Sequence, residues 1–238
     1  MMMIIKELTK LYSGKKVLDR VYLTISKGSL YGFAGVNGAG KSTLIKSLLQ
    51  FIRPQCGTIL VHDVLLEHSH THKNIGYLPE VFQPPGELKC FEFLNYCYLL
   101  SKGRSCSPQR ISSVLKDVGL EGSRNLFIKN FSKGMRQRIG IAQALVHDPE
   151  LLILDEPFTG LDPVGRHELK VLLKKINNEA GTTVFFSSHN LVEMEDLCSD
   201  VAVIHHGRIL IDGKVRELLG KSASKNLEEM FLKLINTA

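Results

Sequence analysis

The stretch Gly35-Val36-Asn37-Gly38-Ala39-Gly40-Lys41-Ser42-Thr43 constrains what this chain can fold into more than any other. It fits the spacing G-x-x-x-x-G-K-[S/T], with Gly35, Gly40, Lys41 and Ser42 at the fixed positions. The apolar run Leu30-Tyr31-Gly32-Phe33-Ala34 leads in as a buried strand. Behind the loop, Leu44, Ile45, Leu48, Leu49 and Ile52 recur at helical spacing, and the helix must stop before Pro54. A plain glycine-rich helix cap is the simpler reading, but strand, loop and helix stand in register around it. Glycines let the backbone fold tightly enough to aim its N–H groups at phosphate oxygens, and a helix N-terminus adds roughly half a positive charge. Lys41 can neutralise terminal phosphates, an attraction of about 4 kcal/mol at ~4 Å under an effective dielectric near ~20. An exposed ion pair is worth about 1 kcal/mol or less, so Lys41 should dominate the affinity. The Ser42 hydroxyl is placed to hold Mg²⁺. The stretch predicts a nucleoside triphosphate site.

A length of 238 residues suits one large α/β domain with a small inserted lobe. No apolar run approaches the ~18–20 residues that span a bilayer, and Met1-Met2-Met3-Ile4-Ile5-Lys6 is too short for a secretory leader. A soluble, cytosolic protein is therefore expected. The five cysteines (Cys56, Cys90, Cys97, Cys106, Cys198) form no C-x-x-C pair and read as free thiols of a reducing compartment. A net charge of +6 could reflect nucleic acid or anionic lipid, but scattered solvated lysines explain it as well and are the favoured reading, and no nucleic-acid partner is expected.

Along the chain, residues 1–30 read as a short antiparallel sheet. Its pieces are Ile4–Thr9, Lys15–Tyr22 and Leu23–Ile25, with Tyr12 in a loop. An adenine needs an aromatic face to stack on, and Tyr12 is either that face or a plain surface tyrosine. Gly57–Leu66 reads as further hairpin. His68-Ser69-His70-Thr71-His72, with His62 nearby, could ligate a metal, but with no acidic or cysteine partner close by it reads as a solvated connection. Asn74–Pro79 is a strand, and Glu80–Gly86 a loop or hinge. Helical periodicity then predicts a mostly helical lobe over about residues 85–148, inserted into the α/β core.

Ser132 is the natural N-cap of the helix that carries Met135, Ile139, Ala142, Leu145 and Val146. Serine and glycine at a helix start could also face a second phosphate. Leu151-Leu152-Ile153-Leu154 is a strand buried on both faces that ends in Asp155-Glu156, where α/β sheets bind ligands. One of the two acids serves Mg²⁺ and the next can orient and deprotonate an attacking water. Pro163 opens a helix that Gly181 stops, and Thr182–Ser187 is a strand that delivers His189 to its C-terminal end, suited to contact a γ-phosphate. A hairpin (Val201–His205 with Arg208–Asp212) and two helices, Val215–Leu219 and Leu227–Ile235, complete the reading.

Taken together, these motifs resemble, over nearly the whole chain and in the family's order, the nucleotide-binding subunit of an ATP-binding-cassette (ABC) transporter. The resemblance implies a P-loop NTPase core with a mixed, largely parallel sheet, an N-terminal antiparallel β subdomain and an inserted helical subdomain within a single ATPase domain over 1–238. It makes Tyr12 the adenine-stacking aromatic and the loop of Gly35, Val36, Asn37, Gly38, Ala39, Gly40, Lys41, Ser42 and Thr43 the Walker A motif. Glu80 stands at the Q-loop position, Ser132–Met135 at the signature and Leu151–Glu156 at Walker B. Asp162 is then the D-loop acid and His189 the switch histidine. The resemblance implies ATP and Mg²⁺ as cofactors, the metal held by Ser42, Asp155 and Glu80, and catalysis by Glu156, His189 and Lys41. Ser132 and Gly134 would close over ATP held by a second copy or a homologue, and the helical lobe and Glu80 hinge would push on a separate transmembrane permease from the cytoplasmic face of the membrane.

Two positions depart from the family pattern. The commonest signature, L-S-G-G-Q, is here Phe131-Ser132-Lys133-Gly134-Met135, and the Q-loop glutamine is Glu80. Both variants, and the tail Leu227–Leu234, are similar to the branch whose ATPases pair with separate polytopic exporter permeases. The alternatives are a soluble ABC-type ATPase, of which only the small cofactor-assembly kind fits this length, and a binding-only regulator. The latter conflicts with the presence of Lys41, His189 and all the acids.

Overall fold

Ser13 (φ 48°) and Gly14 (φ 80°) both take the left-handed backbone that a two-residue hairpin turn requires. They join strand β1 (Met3–Tyr12) directly to β2 (Lys15–Ile25). Tyr12 is thus not in a loop: it is the last residue of β1, paired with Lys15, because so tight a turn leaves no connecting residues. Nor is β2 broken between Tyr22 and Leu23, since its in-and-out alternation runs unbroken to Ile25. The structure, a computed structural model, describes residues 1–66, 74–222 and 224–237. The His68–His72 run falls outside these. The chain forms two compact units, one of Met1–His72 with Thr183–Ala238 and the other of Lys73–Thr182.

In the first unit, β4 (Cys56–Val61) pairs antiparallel with β1 and turns at His62-Asp63 into the short β5 (Val64–Leu65). The resulting antiparallel sheet has the order β2-β1-β4-β5 and buries Met3, Ile5, Leu8, Val21, Leu23 and Ile25. A second sheet of this unit centres on β3 (Leu30–Ala34), whose five residues are all buried. It runs parallel to β8 (Thr183–Ser188) on one side and β9 (Asp200–His205) on the other, and β10 (Arg208–Lys214) adds antiparallel to β9. The Tyr31 and Phe33 rings lie 5.8 Å and 5.5 Å from that of Phe185, which gives the sheet an aromatic core. Helices α1 (Lys41–Leu48), α6 (Leu191–Leu197), α7 (Val215–Ser222) and α8 (Leu227–Thr237) belong to this unit.

The second unit pairs β6 (Ile75–Leu78) in parallel with the wholly buried β7 (Leu151–Asp155). Its helices are α2 (Cys90–Lys102), α3 (Pro108–Asp117), α4 (Lys133–Leu145) and α5 (Pro163–Ala180). Helix α3 starts where its sequence requires: the Ser107 hydroxyl accepts from the Arg110 N–H, and Pro108 takes the first turn. Arg110 then donates to the Leu145 and Val146 carbonyls, closing the otherwise open C-terminus of α4. Cys90, Cys97 and Cys198 are held as thiols by burial, which pushes Cys90 up to about 12 and Cys97 up to about 11. Among the described residues, no helix is long and apolar enough to cross a membrane.

Candidate functional site

The loop between β3 and α1 is shaped from behind by two other strands of its unit. A Cβ on Gly35 would lie 2.6 Å from the Ile204 carbonyl oxygen, and one on Gly40 2.7 Å from that of Val17. Gly40 also takes φ 116°, so no other residue fits there. The Gly207 N–H donates to the Ala39 carbonyl at 3.0 Å, and the Asp19 N–H to the Gly207 carbonyl at 2.9 Å. The Asp19 carboxylate in turn accepts from the Arg208 guanidinium (2.7 and 2.9 Å) and from Lys16 (3.0 Å), and these two cations hold it below the usual carboxylate range. The turn between β9 and β10 is thereby clamped to β2 and props the loop.

Helix α1 opens on Gly40 with no side-chain cap and no acid in its first turn. Its N-terminal N–H groups and dipole are left to the loop, as anion binding requires. Lys41, buried, curls back so that Nζ donates to the Gly35 carbonyl at 2.7 Å. In front of the loop is a cavity of about 280 Å³, lined by Gly35, Val36, Asn37, His189, Leu191 and Phe231. His189, reached from the C-terminal end of β8, thus stands at the phosphate loop. Tyr12 is not among the lining residues; it is exposed on its hairpin, with the Lys10 ammonium 5.1 Å from the ring centroid.

The acids belong to the second unit. Asp155 and Glu156, 3% and 8% exposed, end β7. Glu156 takes φ 50° although it is not glycine and precedes Pro157. That conformation costs on the order of 1–3 kcal/mol and persists only where the surroundings enforce it. The Gln137 side chain of α4 donates to the Pro157 carbonyl at 2.8 Å and pins the turn. Because β6 and β7 run parallel, Glu80 follows the same sheet end as Asp155. Burial, then the Asp155 and Glu80 charges, push the Tyr77 hydroxyl up to about 12, which marks it as flanked by both acids.

Ser132 caps α4, its hydroxyl accepting from the Met135 N–H at 3.2 Å, and Asp162 caps α5, accepting from the Gly165 N–H at 2.7 Å. The Lys133 side chain lies across Gly160 (φ 78°), its Nζ 2.5 Å from where a Cβ would stand, and so covers the turn that leads to Asp162. The hydroxyl of Ser42 and the carboxylates of Asp155 and Glu80 are hard oxygen donors of the kind Mg²⁺ takes. Among the described residues no group of three or more histidines, cysteines and acids is gathered closely enough to hold a metal ion by itself. Sequence reasoning missed Val17, Ile204 and Gly207 behind the loop, and Leu191 and Phe231 in the cavity. Only the amphipathic pattern of the tail hinted at the last of these.

The ABC transporter family profile matches residues 18–159, more than half of the chain. The bacitracin transport ATP-binding protein BcrA of Enterococcus faecalis is 37% identical over 216 residues, covering 90% of this chain and 69% of that protein. The lantibiotic transport ATP-binding protein SrtF of Streptococcus pyogenes is 33% identical over 230 residues, covering 97% and 96%. Other relatives are longer, and the chain spans 62% and 58% of two of them. A solved ATP-binding subunit of an ABC transporter superposes with a TM-score of 0.88 at 28% identity, over 99% of this chain and all of that one. A phosphate loop held from behind on β3, a buried strand ending in two acids, and a profile match that spans both place the chain in the ABC transporter family, as an ATP-binding ATPase.

Proposed function

We propose that this chain is the ATPase subunit of an export-type ABC transporter, acting on the cytoplasmic face of a membrane through a separate transmembrane permease. The observation that supports it best is the likeness, along nearly the full length of both chains, to a lantibiotic transport ATP-binding protein. In this reading residues 1–238 work as one ATPase domain, with the helical part at about 85–148 transmitting motion. Tyr12 stacks on adenine, and Gly35–Thr43 wrap the phosphates through backbone N–H groups and Lys41. Ser42, Asp155 and Glu80 would hold Mg²⁺, which would neutralise negative charge on the phosphates. Glu156 takes a proton from the attacking water, whose oxygen bonds to the γ-phosphorus as the bond to the β-phosphate oxygen breaks. Lys41 and His189 balance the charge on the departing phosphate. Ser132 and Gly134 of a second ATPase chain, identical or homologous, close the site, and Asp162 lies beside that closure.

The test is a pull-down of the tagged chain from detergent-solubilised membranes, with ATPase activity assayed on the eluate. A polytopic membrane protein is expected to co-purify and to raise the ATPase rate. Recovery with soluble partners alone would replace the transporter reading with that of a soluble assembly ATPase.

A further inference from the structure

The tail of the chain forms α8, in the same unit as the phosphate loop. Leu227 and Met230 are 1% and 3% exposed, so this helix is docked by its apolar stripe. The Leu227 N–H donates to Glu195 Oε2 at 2.7 Å, so a carboxylate of α6 caps α8. Helix α6 begins two residues after His189, fixed there by Asn190, whose Oδ1 accepts from the Val192 and Glu193 N–H groups. Phe231, four residues on from Leu227 and so on the same face, reaches the cavity shared by Gly35, Val36, Asn37 and His189. Two elements that meet through Glu195 thus deliver an imidazole and an apolar ring to one small space beside the phosphate loop.

We propose that Phe231 is a positioning residue for the γ-phosphate: from α8 it walls the cavity and holds His189 toward the loop. The proposal rests on the reading of Gly35–Thr43 and His189 as the ATP γ-phosphate site. His189 is exposed at the end of a strand, so a neighbouring ring restricts where its imidazole can point. An apolar wall also keeps water from the space between imidazole and phosphate, and the attraction there rises as the local dielectric falls. Removing the ring would widen that cavity beside the imidazole and the loop's polar backbone, and water could enter there. ADP, lacking the γ-phosphate, should be indifferent to all of this.

The experiment compares binding of the non-hydrolysable analogue AMP-PNP with that of ADP, both with Mg²⁺, to the purified full chain by calorimetry. Phe231→Ala is expected to weaken AMP-PNP about tenfold and to leave ADP within about twofold, with Phe231→Leu recovering most of the loss. In a His189→Ala background, Phe231→Ala should cost nothing more, because the ring acts through the histidine. Glu195→Gln, which weakens the tie between α6 and α8 without touching the cavity, should shift the same ratio by a smaller factor. Equal weakening of both nucleotides, or an effect in the His189→Ala background as large as in the wild type, would overturn the proposal. A wild-type chain that binds neither nucleotide would instead overturn the reading of the loop itself.

Discussion

His147 illustrates how burial can outweigh a hydrogen bond in shifting a titration, with the Lys102 and Arg110 charges pushing the same way as burial and Asp148 the other. It is 8% exposed, its Nε2 lies 3.2 Å from the Ile75 carbonyl, and burial lowers its pKa more than that carbonyl raises it. A histidine whose folded pKa lies below the unfolded value contributes stability that is complete above the ordinary ~6.5 and is lost as pH falls through the lowered value. The unfolded chain accepts the proton first, and acid pulls the equilibrium toward it. Urea midpoints measured at about pH 7.5 and about pH 5.5 should therefore fall more in the wild type than in His147→Gln, which has no proton to gain over that interval. Equal falls would mean that the buried imidazole is protonated as readily in the fold as outside it.

At the scale of the element, the phosphate loop behaves as a unit because its glycines answer to different neighbours. Gly40 is barred to any side chain both by φ 116° and by the Val17 carbonyl, whereas Gly38 (φ 79°) has open space where a Cβ would go. Gly40→Ala must shift β2 or the loop as well as strain the backbone, and Gly38→Ala need only bear the strain. ATP affinity should fall by about tenfold or more for Gly40→Ala and clearly less for Gly38→Ala, with each ~1.4 kcal/mol counting tenfold. If the two variants bind alike, the contact with β2 does not shape the loop. The same loop shows what was legible beforehand. Strand, glycine spacing, Lys41 and helix lie within a few residues of each other, so local pattern sufficed to find them, as it did for β7 with its two acids. The supports of the loop come from Val17, Ile204 and Gly207, far away in sequence, and a backbone carbonyl leaves no mark in a residue pattern. Tyr12 was misplaced for a related reason: the dipeptide Ser13-Gly14 signals a turn, but only its pair of positive φ angles shows that the strand runs right up to it. Phe231 looked like any apolar residue of an amphipathic tail until Glu195 and the cavity gave it a direction.

For the whole molecule, the open question is how many chains make one working site. Two helix starts among the described residues suit phosphate, at Lys41 on α1 and at Ser132 on α4; at the first the lysine curls back onto the glycine loop, whereas at the second Lys133 lies across Gly160. At the second, Ser132 is exposed, and a Cβ on Gly134 would meet nothing closer than the Ser132 hydroxyl at 4.0 Å, so that surface is open to an approaching chain. If it closes over ATP held by another copy, the closed pair should persist for as long as hydrolysis is blocked. Glu156→Gln keeps the size of the side chain and its place at the end of β7 but cannot take the proton from water. With ATP and Mg²⁺ it should run as a dimer in size-exclusion chromatography with light scattering, turn over at no more than about a hundredth of the wild-type rate, and return to monomer when nucleotide is removed. Adding Ser132→Arg, which puts a bulky side chain on the approaching surface, should abolish the dimer while each chain still binds ATP. A Glu156→Gln protein that stays monomeric at saturating ATP would show that Ser132 and Gly134 do not complete the site, and one that hydrolyses ATP normally would remove Glu156 as the catalytic base.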